Sequence, residues 1–141
     1  MKKVLIIALT ALAACRTGPP RPIDIEPSDM CSRCRMAISQ NRYAAELVDR
    51  DGNVWKFDDI GCMLRYTRDH SLEPQSQTYF VMDYQSQHWL DAARAIYVRS
   101  EEIPSPMSGG IVAFENEAKA GEFSHSVHGA VLTFEGLWNT K

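Results

Sequence analysis

No stretch of this 141-residue chain is apolar for long enough to cross a bilayer as a helix. The longest such run, Val4 to Ala14, falls well short of the roughly 20 residues a span needs. Polybasic tracts are missing too: 15 Lys and Arg stand against 18 Asp and Glu, which argues against nucleic acid as a partner. Histidine is scarce, and His70, His88, His125 and His128 include no i,i+4 pair that could hold a metal from one helix face. His125 and His128 fall at the end of a predicted helix, where capping or surface roles come first. No Gly-rich phosphate loop, no G-x-S-x-G elbow and no nucleophile–base spacing is present. Asp49, Asp51, Asp58 and Asp59 lack a calcium-loop pattern and suit turn and cap chemistry. With 45% hydrophobic and 23% charged residues, what remains is one ordinary globular domain.

The amino terminus reads as an address. Met1-Lys2-Lys3 is a basic head, Val4 to Ala14 a short apolar run, and Leu12-Ala13-Ala14-Cys15 resembles the lipobox at which bacterial lipoproteins are cleaved and lipidated on cysteine. Residues 1–14 are therefore expected to be a signal peptide and Cys15 the lipidated residue. Cleavage would also remove Lys2 and Lys3, leaving an acidic chain that depends on its lipid for anchoring. Arg16, rather than Asp, follows the cysteine, which favours the outer membrane of a two-membrane bacterium. Pro19, Pro20, Pro22 and Pro27 make residues 15–29 an extended tether, with a reach of about 45 Å at polyproline rise. The folded domain is expected over residues 30–141.

Within it, Tyr43 to Val48 and Asn53 to Phe57 read as strands joined by the Asp51-Gly52 turn. Asp58 or Asp59 caps a helix from Ile60 to about Arg68. Strands follow at Thr78 to Asp83 and Ala95 to Val98, with a turn of helix expected over Trp89 to Arg94. Residues 101–110 form a loop, Gly110 to Phe114 a strand, Glu117 to Ser126 a helix, and Val131 to Phe134 a closing strand. The pattern predicts a mostly antiparallel α+β domain of two ββα-type units.

Cysteine is the informative residue. With Cys15 assigned to lipid, Cys31, Cys34 and Cys62 remain, an odd number from which no complete disulfide framework can be built. Met30-Cys31-Ser32-Arg33-Cys34-Arg35-Met36 crowds four sulfurs into seven residues, and thiolate with thioether suits Cu(I). In an extended chain Cys34 and Met36 would face the same way and reach one ion. No nearby Cys or His pair completes a tetrahedral zinc set. The same C-x-x-C could equally be a small disulfide with Met36 as core filler, or a thiol–disulfide exchange motif. A proline-rich stretch precedes Cys31 where an exchange motif would follow a strand. Met107, in Pro106-Met107-Ser108-Gly109-Gly110, is a thioether in a loop with no evident packing task. Met63 fits the apolar stripe of the first helix, and Cys62 beside it reads as a small buried hydrophobe, with a thiolate favoured by the helix start as the other reading.

Cys31-x-x-Cys34-x-Met36, Phe57-Asp58-Asp59, Trp89-x-Asp91-Ala92, Tyr97-Val98, Pro106-Met107-Ser108-Gly109-Gly110, Ala113-Phe114 and His128-Gly129-x-Val131-Leu132 follow one another behind the lipobox. In that order they resemble the NosL family of copper-binding lipoproteins, accessories of nitrous oxide reductase maturation. The resemblance implies a periplasmic, membrane-tethered Cu(I) chaperone serving an apo-reductase through an ABC-type maturation complex, without catalytic turnover. It implies a fold of two ββα units similar to the organomercurial lyase core. Carried over residue by residue, it makes Cys34 and Met36 the C-x-M ligands, Cys31 the preceding cysteine and Met107 the loop methionine, with Met63 and Cys62 as weaker candidates. Copper could be held by one chain or shared in a homodimer. The family usually has Gly between that Cys and Met, where this chain has Arg35. The competing expectation is a thiol–disulfide oxidoreductase built on Cys31 and Cys34.

Overall fold

The computed structural model describes residues 18–139, so the signal segment, Cys15 and Arg16 lie outside the described residues. Strands β1 (Ala45–Val48) and β2 (Val54–Phe57) form a hairpin. Its turn is closed by Asp49, whose Oδ1 accepts the N–H groups of Asp51 and Asn53, with Gly52 at φ 83°. Helix α1 (Ile60–Asp69) follows, and β3 (Thr78–Met82) returns to pair antiparallel with the other edge of β1. A short β4 (Trp89–Asp91) completes a sheet in the order β2-β1-β3-β4.

The second half repeats the path. Strands β5 (Ile96–Arg99) and β6 (Ile111–Phe114) pair antiparallel, helix α2 (Glu117–Ser126) follows, and β7 (Ala130–Leu132) pairs with the free edge of β5. The sheet order β6-β5-β7 is that of β2-β1-β3. Each helix opens the same way. Phe57-Asp58-Asp59 precedes α1 and Phe114-Glu115-Asn116 precedes α2, and in each the third residue is an N-cap accepting the N–H three positions on. The repeated unit is thus ββαβ. The expected α+β, mostly antiparallel fold of two ββα units is the fold observed.

A main core of Leu47, Phe57, Ile60, Leu64, Val81, Tyr97 and Ile111 spans both units, and a second, around Val98, Val112 and Phe114, lies with Ala120 of α2. Each fully buried side chain of this size contributes about 1.5–3 kcal/mol. Asp83, itself buried, joins the sheets. It bridges to Ala113 in parallel sense, and its carboxylate accepts from Gln85 N, Ser86 N and Oγ, and Glu115 N.

Three expectations are corrected. Trp89 to Arg94 is not a helical turn, because Trp89 and Leu90 complete the edge of β3 and only the residues after Asp91 turn. Strand β7 ends at Leu132, and helix α3 (Phe134–Asn139) follows, where Thr133 Oγ1 accepts the Gly136 N–H. The chain before Met30 lies on the domain from Ile23 onward. Glu46 Oε2 accepts the Ile23 N–H at 2.9 Å, and Lys56 Nζ donates to Asp24 O and Asp29 Oδ2, both at 2.6 Å. Glu46 and Lys56 are register partners that alternation turns away from α1, so that face of the sheet takes up the incoming chain. No helix among the described residues is long and apolar enough to cross a membrane.

Candidate metal centre

Cys31 and Cys34 sit on a tight loop just before the first unit. Met30 and Ala37 bridge antiparallel, Cys31 N–H donates to Met36 O at 2.8 Å, and Arg35 N–H donates to Cys31 O at 3.0 Å. Arg35 adopts φ 65°, the left-handed conformation that reverses the chain. The extended geometry expected for Cys34-x-Met36 is therefore absent. Cys34 is half-buried against the core, whereas Met36 is 58% exposed. One further bond places the loop: Ser32 N–H donates to Lys56 O at 2.8 Å, which docks it beside the end of β2.

That docking brings the loop to the start of α1. Asp59 caps the helix, its Oδ1 accepting the Cys62 N–H at 2.7 Å, so Cys62 occupies the first turn. The sulfurs of Cys31, Cys34 and Cys62 and a carboxylate oxygen of Asp58 all lie within 4.8 Å of one another. Thiolates 2.3 Å from a shared tetrahedral ion stand about 3.8 Å apart, so this set is on the scale to close around one ion. Cys31 and Cys62 are fully buried and Asp58 is nearly so. All three thiols are free, so no disulfide spans Cys31 and Cys34. The Cys34 thiol donates to Asp58 Oδ2 at 3.3 Å, while buried Asp58 Oδ1 has no hydrogen-bond partner. A buried carboxylate with one oxygen unpaired, beside three thiols, is a place for a cation.

The thiols share charge unequally. A hydrogen bond from Cys62 draws the Cys31 thiol down to about 6 against the cost of its burial. Burial pushes Cys34 up to about 11, and donation to Cys31 with burial pushes Cys62 far up. Among the three thiols the hydrogen bond from Cys62 thus favours the thiolate form at Cys31.

The loop of Met107 is tied to the same place. Asp59 Oδ2 accepts from Ser105 Oγ at 3.0 Å, Met107 N at 3.1 Å and Gly109 N at 3.3 Å. The loop and helix backbones touch: a Cβ on Gly61 would stand 2.9 Å from Gly109 Cα. Met107 is half-buried against the core that contains Cys31 and Cys62. Met63 is fully buried in that core, as its stripe position implied.

Sequence spacing therefore pointed to Cys31 and Cys34 and underrated Cys62 and Asp58. Cys62 reads from the sequence as a small buried hydrophobe and only a weaker metal candidate, and Asp58 as a turn or cap residue; Cys62 is indeed buried. Docking of the Cys31–Cys34 loop beside β2 brings Cys31 and Cys34 to both, which no local spacing reveals. The exclusion of zinc for want of further ligands is corrected for the same reason. A cavity of about 520 Å3 lies elsewhere, walled by Tyr79, Phe134 and Trp138, and no cysteine or methionine lines it.

Fold and site together define a small α+β domain with three thiols and a carboxylate close enough to hold a metal ion. The NosL family profile matches residues 22–140, and the chain belongs to the NosL family. No curated protein matches it in sequence. Among solved structures, the copper chaperone NosL from Shewanella denitrificans is similar at 19% identity. The likeness covers 88% of this chain and 100% of that one, with a TM-score of 0.78.

Proposed function

We propose that this chain is a Cu(I)-binding metallochaperone without catalytic turnover. The observation that carries the reading is the gathering of three free thiols and the buried Asp58 carboxylate in a NosL-family chain. Thiolate-rich sites select Cu(I) among biological ions. Cys34 and Cys31 would supply thiolate, Cys62 a third sulfur, and Met107 and Met36 thioethers at the rim. Met36, exposed on the loop, is placed to meet an incoming acceptor. The Shewanella structure's description as a copper chaperone supports the same cargo. The acceptor proposed is nitrous oxide reductase or a related cuproenzyme, reached through an ABC-type maturation complex. Lipid on Cys15 would hold the chain on the periplasmic face of a bacterial membrane, the outer one favoured by Arg16.

Anaerobic titration of Cu(I) into the reduced chain against a chromophoric Cu(I) chelator tests the reading. Retention of one equivalent per chain or per dimer, lost in Cys34→Ser, supports it, and no competition with the chelator sinks it. Three sulfurs and one oxygen also suit Zn2+, so the titration is repeated with zinc. Zinc held more tightly than Cu(I) would make this a zinc site instead. One observation favours thiol–disulfide exchange, namely the lowered pKa of Cys31. Full burial of that sulfur keeps a protein disulfide from reaching it in line, and insulin reduction is the discriminating assay.

A further inference from the structure

Asp59 is fully buried, yet it belongs to neither the thiols nor the thioethers. Its two oxygens divide the work. Oδ1 takes the Cys62 N–H at the start of α1. Oδ2 takes three donors from the loop between β5 and β6: Ser105 Oγ, Met107 N and Gly109 N. Ser105 Oγ in turn accepts the Gly110 N–H at 3.0 Å, which extends the hold to the end of the loop. Arg65 leans over the pair, 3.9 Å from Asp59 Oδ1 and 3.8 Å from the Cys62 sulfur. A helix cap needs only the first of these bonds. The rest have a different effect: they fix the backbone that carries a thioether against the backbone that carries a thiol, although 45 residues of chain separate Met107 from Cys62.

We infer that Asp59 is the positioning residue of the metal site, a single carboxylate that sets Met107 relative to Cys62. The inference rests on the copper reading above. Without it the loop is joined to α1 by the Gly61–Gly109 contact and core packing alone, and the Met107 thioether is no longer held in register with the sulfurs.

A double-mutant cycle on Cu(I) affinity, read by chelator competition on the reduced full chain, tests this. Loss of an outer hydrogen-bonding partner costs a metal site roughly 10–100-fold in affinity, and that is the fall expected for Asp59→Asn. Met107→Leu should weaken binding to a similar degree, and the double variant should be no weaker than Met107→Leu alone. The loss from Asp59→Asn should instead multiply with that from Cys31→Ser, since the asparagine oxygen still accepts the Cys62 N–H and the Cys31 loop is held by its own backbone bonds. Circular dichroism and thermal melting establish that each variant is folded. If Asp59→Asn does not fold, Ser105→Ala, which removes one donor, should give a smaller loss that likewise vanishes when Met107 is Leu. Losses that multiply between Asp59 and Met107 would overturn the inference, as would wild-type affinity in folded Asp59→Asn or in Met107→Leu. A wild-type chain that holds no Cu(I) overturns the copper reading itself, a different and separately visible result.

Discussion

At φ 65°, Arg35 holds a conformation that costs a residue with a Cβ about 1–2 kcal/mol and glycine almost nothing. The glycine usual at this place in the family pattern thus has a backbone reason. Arg35→Gly should raise the stability of the apo protein by about 0.5–1 kcal/mol, the relief of strain exceeding glycine's added chain entropy. Urea denaturation of both forms measures it, and a fall would mean that the guanidinium stabilises the loop by more than the strain. Glu46 behaves differently. Burial raises its carboxyl to about 7, so the folded chain keeps a proton that the unfolded chain loses above pH 4.5. The group's contribution is therefore fully present below the unfolded value and is lost as pH rises through about 7. A difference of this size is worth about 3 kcal/mol. Glu46→Gln, which still accepts the Ile23 N–H, should flatten that part of the pH profile and be more stable than wild type at pH 8. Equal slopes for both proteins between pH 5 and 8 would show that Glu46 is not the titrating group.

The two capped helices, α1 and α2, are alike in length, yet a glycine means opposite things in them. Gly121 in α2 has nothing within 4 Å of where a Cβ would stand, so Gly121→Ala should add about 0.5–1 kcal/mol of helix propensity. Gly61 in α1 faces Gly109 Cα, and Gly61→Ala should lose about 1–3 kcal/mol by overpacking and displace the Met107 loop. Thermal melts of the pair decide it; a stabilised Gly61→Ala would mean that the loop yields freely. Legibility also divides at this scale. The Asp51-Gly52 hairpin and both ten-residue helices were readable, because turn chemistry, capping and apolar periodicity are local signals. Three-residue β4 and six-residue α3 were not. Neither is long enough to show a period, and each owes its form to its neighbour, β4 to the edge of β3 and α3 to Thr133.

Across the molecule, the duplicated ββαβ frame carries the thiols on one copy only. Lys119 stands in α2 where Cys62 stands in α1, and exposed Glu115 stands where Asp58 is buried. The two ββα-type units lay open in the strand and helix pattern, whereas the assembly of the site did not. Cys31 and Cys34 are sequence neighbours and were visible as such. Cys62 and Asp58 join them through the Ser32–Lys56 bond and the turn into α1, and Met107 through Asp59 and the Gly61–Gly109 contact, all between distant stretches of sequence. If Cu(I) fills this site, thermal melts with one equivalent added should shift upward for wild type and far less for Cys34→Ser; equal shifts would place the ion elsewhere.

A set of donors gathered from separate stretches of chain exists in the folded state alone. Uptake of an ion there and folding are then two sides of one mass-action balance, and a free-ion level a hundredfold above its dissociation constant adds about 2.7 kcal/mol to the native state. If the chain is the carrier proposed, handing the ion over returns that amount, and the emptied form is the less stable one.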